Sequence, residues 1–181
     1  MARGDNPPKS GSPITIRPAR AEDAKAIAAI YKAAVRSTTA TFDTEPRSLA
    51  DQVSWLEHHD PDHPVLVAEL EGVVAGWAAL SPWSERCAYA LTAELSIYIG
   101  ETWRNRGIGR SLLKKLIALG RSHGLHSILA RVAEGNPVSQ RLHRSEGFRT
   151  VGLMREVGYK FGRFLDVELM QLSLAERTTV D

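Results

Sequence analysis

Residues 93–110, AELSIYIGETWRNRGIGR, constrain the fold more than any other stretch of the chain. Ala93 to Ile99 is a short β-branched and aromatic run, typical of a strand buried on both faces. Gly100 to Arg106 breaks that run. From Ile108 to Leu119, apolar residues recur at Ile108, Leu112, Leu113, Leu116, Ile117 and Leu119, the spacing of a helix with one buried face. Gly107 and Gly109 stand at the join, where missing side chains let a ligand approach the backbone. The first N–H groups of a helix have no internal partner, so strand, glycine loop and helix together form an anion cradle.

The charges strengthen that reading. Arg106, Arg110 and Lys114 lie four residues apart on one helix face, with Lys115 beside them. Like charges at that spacing repel by about 0.2–0.5 kcal/mol per pair, and the first turn of a helix favours acids over arginines. A polyanion bound at the helix start relieves both faults. A solvated basic face balanced by acids from elsewhere is the alternative. The loop lacks the Lys-Ser/Thr of a phosphate-binding P-loop, and Leu112 stands where the dinucleotide fingerprint needs its third glycine.

Arg104-Asn105-Arg106-Gly107-Ile108-Gly109 instead resembles the Arg/Gln-x-x-Gly-x-Gly/Ala signature of the GCN5-related N-acetyltransferases, the GNAT family. The resemblance implies that these six residues and Arg110 grip the pyrophosphate of acetyl-CoA. It also implies an α/β (α+β) fold: a mixed, mostly antiparallel central sheet, splayed at its middle and flanked by helices, with the cofactor in the opening.

The order of elements read from the residues matches, as β-α-α-β-β-β-α-β-α-β-β. Ile14 to Pro18 alternates as a strand, and Ala21 to Val35 is helical, with Glu22 and Asp23 in its first turn. Ser37 to Pro46 is a polar loop containing Phe42. Ser48 to His59 is a second amphipathic helix, with Ser48 and Asp51 spaced as a capping box. Val65 to Leu70 and Val73 to Leu80 are strands joined by Glu71-Gly72. Ser81 to Tyr89 is a loop before the central strand, read as Leu91 to Ile99. After the long helix come a strand at Ser127 to Val132, a short helix ending near Ser145, and strands at Arg149 to Arg155 and Phe164 to Leu174. Residues 13–175 are expected to form one domain, with residues 1–12 a disordered leader and 176–181 a flexible tail.

Two constellations carry chemistry. Glu94 lies in an otherwise apolar strand, where burial is expected to raise its pKa, which suits a general base; a structural ion pair is the alternative. Asn136-Pro-Val-Ser139-Gln-Arg-Leu-His143 resembles the GNAT segment that lines the pantetheine arm, which implies cofactor contacts from Asn136 and Ser139. Leu142-His143, Glu94, Gly158-Tyr159-Lys160 and Thr44-Glu45-Pro46 together resemble the phosphinothricin and methionine sulfoximine acetyltransferase group. That resemblance makes Glu94 and His143 the catalytic pair, without deciding which residue moves which proton. It assigns Ile97, Tyr98 and Ile99 to the thioester and pantetheine through backbone N–H groups freed by a strand bulge. It places Phe42, Arg86, Tyr89, Ser96 and Tyr159 around the acceptor, Arg86 as a bidentate carboxylate partner. Where Ser84 stands, relatives acting on phosphinothricin often carry Lys, so this chain is expected to favour a broader amino-acid or sulfoximine acceptor.

The expected activity is acetyl-CoA-dependent N-acetylation of a small amino acid or amino-acid-like toxin by direct transfer. A protein N-terminus or a polyamine as acceptor, and a non-catalytic acyl-CoA sensor, remain the alternatives. Net charge is +2, too near balance to imply nucleic-acid binding, and no apolar run reaches the roughly 20 residues that cross a bilayer. No metal is expected. His58, His59 and His63 near Asp60 and Asp62 read as solvated loop residues. The single cysteine, Cys87, excludes an internal disulfide and suits a reducing cytosol, so the expected location is cytoplasmic. The resemblance implies a homodimer, with the Phe164 to Leu174 edge available for it.

Overall fold

The computed structural model describes residues 13–174; the leader and tail expected at 1–12 and 176–181 lie outside the described residues. The strands are β1 (Thr15–Pro18), β2 (Val65–Leu70), β3 (Val73–Pro82), β4 (Thr92–Ile99), β5 (Ser127–Ala133), β6 (Arg149–Lys160) and β7 (Arg163–Ser173). The helices are α1 (Ala24–Ser37), α2 (Leu49–Glu57), α3 (Ile108–Ser122) and α4 (Pro137–Ser145). The expected order holds throughout. One seven-stranded sheet runs β1-β2-β3-β4-β5-β7-β6, antiparallel at every pairing except β4–β5.

That one parallel pairing is short. Thr92, Ala93 and Glu94 align with Ser127, Ile128 and Leu129, and there the two strands part. Beyond Glu94, β4 stays in register with β3 and β5 stays in register with β7, so the sheet splits into a V with Glu94 at its apex. Correspondingly, β4 is not buried on both faces: Ala93 and Leu95 are buried, whereas Glu94 and Ser96 to Ile99 are half-buried where they line the opening. Its register on β3 is unbroken, so the opening comes from strand divergence and not from a bulge in β4.

Alternation in β2 and β3 supplies two cores. Leu66, Ala68, Ala78 and Leu80 pack against Ile108, Leu112, Leu113 and Leu116 of α3. Val65, Val67, Trp77 and Ala79 pack on the other face against Ile27, Tyr31 and Val35 of α1. Burying each large aliphatic side chain of α3 contributes about 1.5–3 kcal/mol relative to exposure. At the start of α2, Ser48 Oγ accepts from Asp51 N (3.1 Å) and the Asp51 carboxylate accepts from Ser48 N (3.3 Å), the expected box. His58 and His59 turn their Nδ1 atoms to the carbonyls of Ser54 (2.6 Å) and Trp55 (2.8 Å), and His63 turns to Asp60.

Two further expectations need correction. β6 runs to Lys160, well past Arg155, because register shifts against β7 near Gly152 and Gly158, with Glu156 at φ 50°, put its side chains out of simple alternation. β7 is not an edge strand either, since it lies between β5 and β6. On this side of the sheet the edge strand is β6, as β1 is on the other.

Candidate active site

The V holds two adjoining cavities. The first, about 500 Å³, lies on the Glu94–Ser96–Tyr98 side of β4 and is walled by β5, the α1–α2 loop and His143. The second, about 540 Å³, runs from Ile97–Gly100 along the Trp103–Arg110 loop to α4. They meet at Thr39, Ala40, Ile97, Tyr98, Asn136 and Ser139, which line both.

The second cavity fits an extended polyphosphate ligand. Gly107 caps α3 with φ 78°, a left-handed geometry that costs glycine little, and no side chain occupies the cap, so the first N–H groups of α3 face the cavity free of a competing cap. A Cβ on Gly109 would press on Leu142 at 3.2 Å, so glycine keeps this wall close to the backbone. Arg104, Asn105, Gly107, Ile108, Gly109 and Arg110 line the cavity. Arg106 does not; its guanidinium stacks over Trp103 at 5.3 Å. Arg110 is ion-paired with Glu146 at 2.6 Å, so part of the basic face is balanced from within the fold.

Hydrogen-bond parity sorts the Ile97–Ile99 segment. Gly100 N donates to Ala75 O (2.9 Å) and Trp83 N to Thr92 O (3.1 Å), so the even-numbered residues of β4 bond to β3. The odd-numbered ones face the β5 side, as Leu91 O does in accepting from His126 N (2.8 Å). Past Glu94 no β5 partner exists, and the backbones of Ile97 and Ile99 are turned to the opening. Tyr98 spends its backbone on β3 and contributes its ring, packed on Tyr31 and Trp77 at 5.1 and 4.8 Å. Burial raises its phenol pKa and keeps it protonated.

His143 is 2% exposed and fixed from the start of its helix. Asn136 Oδ1 caps α4 by accepting from Ser139 N (3.1 Å), with Pro137 in the first turn. One turn on, Nδ1 of His143 lies 2.8 Å from Ser139 O. A carbonyl can only accept, so Nδ1 carries the proton and the Nε2 lone pair is left over. Nε2 is buried without a hydrogen-bond partner among the described residues, and His143 lines the first cavity. Burial holds the imidazole below its ordinary value near 6.5, hence neutral at pH 7.

Glu94 also lines the first cavity, but as half of an ion pair. Arg131 Nε and Nη2 donate to its two carboxylate oxygens, both at 2.6 Å. The carboxylate in an apolar strand is thus paired, as the alternative reading had it, rather than isolated by burial. Phe42 and Ser96 line the same cavity. Arg86, Tyr89 and Tyr159 do not: Arg86 and Tyr89 lie on an exposed turn, and Tyr159 is 60% exposed against Phe164. The neighbours of Tyr159 explain its direction, because Gly158 meets Phe42 and Lys160 Nζ donates to Thr41 O (2.7 Å), which turns the residue between them outward.

Four lining residues, Arg131, Arg47, Tyr31 and Asp43, went unread as site residues in the sequence. Arg131 stands in an apolar strand just as Glu94 does, a signal that was there to use. Arg47 stacks its guanidinium over Tyr31 and Trp55 at the cavity rim, and Tyr31 donates to Asp43 (2.6 Å) on the α1–α2 loop. Neither leaves a mark in the sequence pattern.

Residues 27–148 match the Acetyltransferase (GNAT) family. The chain is 39% identical over 169 residues to the L-amino acid N-acyltransferase MnaT of Escherichia coli (strain K12), covering 93% of this chain and 98% of that one. It is 40% identical over 162 residues to the L-methionine sulfoximine/L-methionine sulfone acetyltransferase of Pseudomonas paraeruginosa, covering 88% and 94%. Its fold superposes with a TM-score of 0.88 on a crystal structure of a GNAT superfamily phosphinothricin acetyltransferase from Sinorhizobium meliloti in complex with acetyl-CoA, at 35% identity and 93% and 92% coverage.

Proposed function

The chain belongs to the GNAT acetyltransferase family, and on that premise we propose that it moves the acetyl group of acetyl-CoA directly onto the amino group of a small amino acid or amino-acid-like acceptor. The acceptors in view are of the methionine sulfoximine, methionine sulfone or phosphinothricin kind. One observation carries the reading: a neutral, buried histidine with an unpartnered Nε2 faces a cavity that adjoins an anion cradle.

Acetyl-CoA fits the second cavity by its chemistry. The α3 N-terminus with Arg104 takes the pyrophosphate, and the free backbone edge at Ile97 and Ile99 with Asn136 and Ser139 takes the amide-bearing arm. When bound, it supplies an activated thioester at the junction of the cavities. Ile97 and Ile99 offer N–H groups from the exposed edge of β4 to charge that develops on the acyl oxygen. The ammonium first gives one proton to solvent. The amine then bonds to the acyl carbon as the C–S bond breaks, and His143 Nε2 accepts the proton that the nitrogen sheds and passes it to the departing thiolate, while Nδ1–H, bonded to Ser139 O, steadies the transient imidazolium. Glu94 holds an anion beside the incoming ammonium. Phe42 and Ser96 shape the wall. Because Arg131 neutralises Glu94 and Arg47 adds a cation at the rim, the cavity lacks the acidity a polyamine would seek.

Thiol release from acetyl-CoA over a panel of methionine sulfone, methionine sulfoximine, phosphinothricin, common amino acids, spermidine and a free-N-terminus peptide tests the proposal. Turnover confined to free amino acids or their analogues is expected. Turnover confined to spermidine or the peptide would sink it. Glu94→Gln is expected to raise the acceptor KM by about tenfold, the scale of one lost charge-assisted contact, with acetyl-CoA affinity unchanged by calorimetry.

Acetylation of such acceptors would protect a cell from amino-acid-like antibiotics or herbicides, and a cytoplasmic site of action agrees with a lone, exposed Cys87. A homodimer is part of the same reading. Val151, Leu153, Val157, Tyr159, Phe161 and Phe164 are each 50–60% exposed along the β6–β7 hairpin at the sheet edge, a patch suited to a second copy. Sedimentation is expected to give twice the 19.9 kDa chain mass, falling to one with Leu153→Glu and Val157→Glu together.

A further inference from the structure

Arg131 is the one exposed position in a strand that is otherwise buried, between Ala130 and Val132 of the core. It stands two residues beyond Leu129, the partner of Glu94 on the last paired rung, where the V opens. Its side chain is 54% exposed, lines the first cavity, and lies over Trp83 at 5.8 Å. Glu94 engages only one edge of the guanidinium, through Nε and Nη2. A guanidinium carries five N–H donors, so both on Nη1 and one on Nη2 stay available. That second edge is itself a fork that matches a carboxylate bidentately. Among the described residues, no second acid is paired with Arg131.

The carboxylate of Glu94 is equally unsaturated. Its two oxygens offer about four acceptor sites, and Arg131 uses two of them. The pair therefore presents, side by side at the apex, an anion able to take an ammonium and a cation able to take a carboxylate. An α-amino acid carries those two groups one carbon apart. A pair whose guanidinium is open to solvent adds little to folding, so its placement in the cavity wall calls for another use.

We propose that Arg131 is a specificity-determining residue that binds the acceptor's carboxylate, so that the Glu94–Arg131 pair reads the zwitterion of a free α-amino acid. This rests on the amino-acid reading of the cavity and names the residue that enforces it. It separates free amino acids from amines, esters and peptide N-termini, which lack the adjacent carboxylate.

The test is calorimetric binding of methionine sulfone and of methionine sulfone carboxamide to the full-length protein with coenzyme A present. Wild type, Arg131→Gln and Arg131→Lys are compared. Wild-type protein is expected to prefer the carboxylate ligand by at least tenfold. In Arg131→Gln that preference collapses to within about twofold, by loss of carboxylate binding, while carboxamide binding holds or improves; Arg131→Lys restores part of it. An unchanged preference in Arg131→Gln overturns the proposal. So does an equal loss for both ligands, which would make Arg131 only a support for Glu94. Wild-type protein that binds neither ligand, yet turns over a peptide or polyamine, overturns the amino-acid reading itself and this inference with it.

Discussion

His143→Ala is expected to lower kcat by about 10²–10⁴-fold, the range for removal of a positioned general base, while acetyl-CoA binding measured by calorimetry stays within about twofold, the additivity expected of a site whose contacts are untouched. The argument is geometric first. Nδ1 is committed to Ser139 O at 2.8 Å, so proton uptake falls to Nε2, which has no competing partner among the described residues. Phe148 meets the ring edge-on at 5.1 Å and restricts its rotation. Because truncation also empties a buried site, His143→Gln serves as a second variant that keeps volume without a titrating nitrogen; equal losses in both assign the effect to the proton and not to packing. The pH dependence follows from the depressed pKa. A base must be neutral to act, so kcat/KM is expected to hold as pH falls through 6.5 and to decline only at the lower folded value. Stability responds earlier: the unfolded chain takes up a proton near 6.5 that the folded one resists, so the folded chain loses stability as pH falls from that point toward the lower folded value. A kcat that survives both substitutions would remove His143 from the chemistry.

How far the sequence speaks depends on whether a feature is local. The β4–loop–α3 unit was legible because a short β-branched and aromatic run, a glycine break and a 3.6-residue period follow one another without interruption. His143 was legible as a residue, yet its free Nε2 depends on the Asn136 cap that aims the first turn of α4, which periodicity does not express. Glu94 was legible as an acid out of place. Its partner was not, because pairing Glu94 with Arg131 requires knowing that β4 and β5 are neighbours in parallel register. The length of β6 was hidden by the register shifts that spoil its alternation, and the outward turn of Tyr159 follows from the same strand. Arg86 and Tyr89 were assigned to the cavity through the loop that carries them, whereas the neighbouring α1–α2 loop supplies that wall in the folded chain.

That loop is the basis of the second large effect: Gly158→Ala is expected to lower kcat/KM for the acceptor by about 10- to 100-fold, the penalty for displacing a positioning wall by roughly an ångström. The α1–α2 loop crosses the V from one cavity to the other. Thr38 lines only the second cavity, Thr39 and Ala40 the junction, and Thr41, Phe42 and Asp43 only the first. Its acceptor end is tied to β6 twice. Phe42 packs against Gly158, where an added Cβ would run into three carbons of its ring, and the buried Lys160 ammonium donates to Thr41 O at 2.7 Å. Its junction end is tied elsewhere, by Thr39 Oγ1 donating to Glu134 O at 3.0 Å. A methyl group at Gly158 therefore pushes Phe42 off the wall without touching the junction or the α3 cradle. The expected signature is a raised acceptor KM with acetyl-CoA KM within about twofold. Phe42→Ala in the Gly158→Ala background decides whether the clash is the cause. Removing the ring frees the added methyl, so the double variant should lose no more than Phe42→Ala alone. Losses that instead add, or an acetyl-CoA KM that rises in step with the acceptor's, would show that Gly158 acts through the sheet and not through the loop.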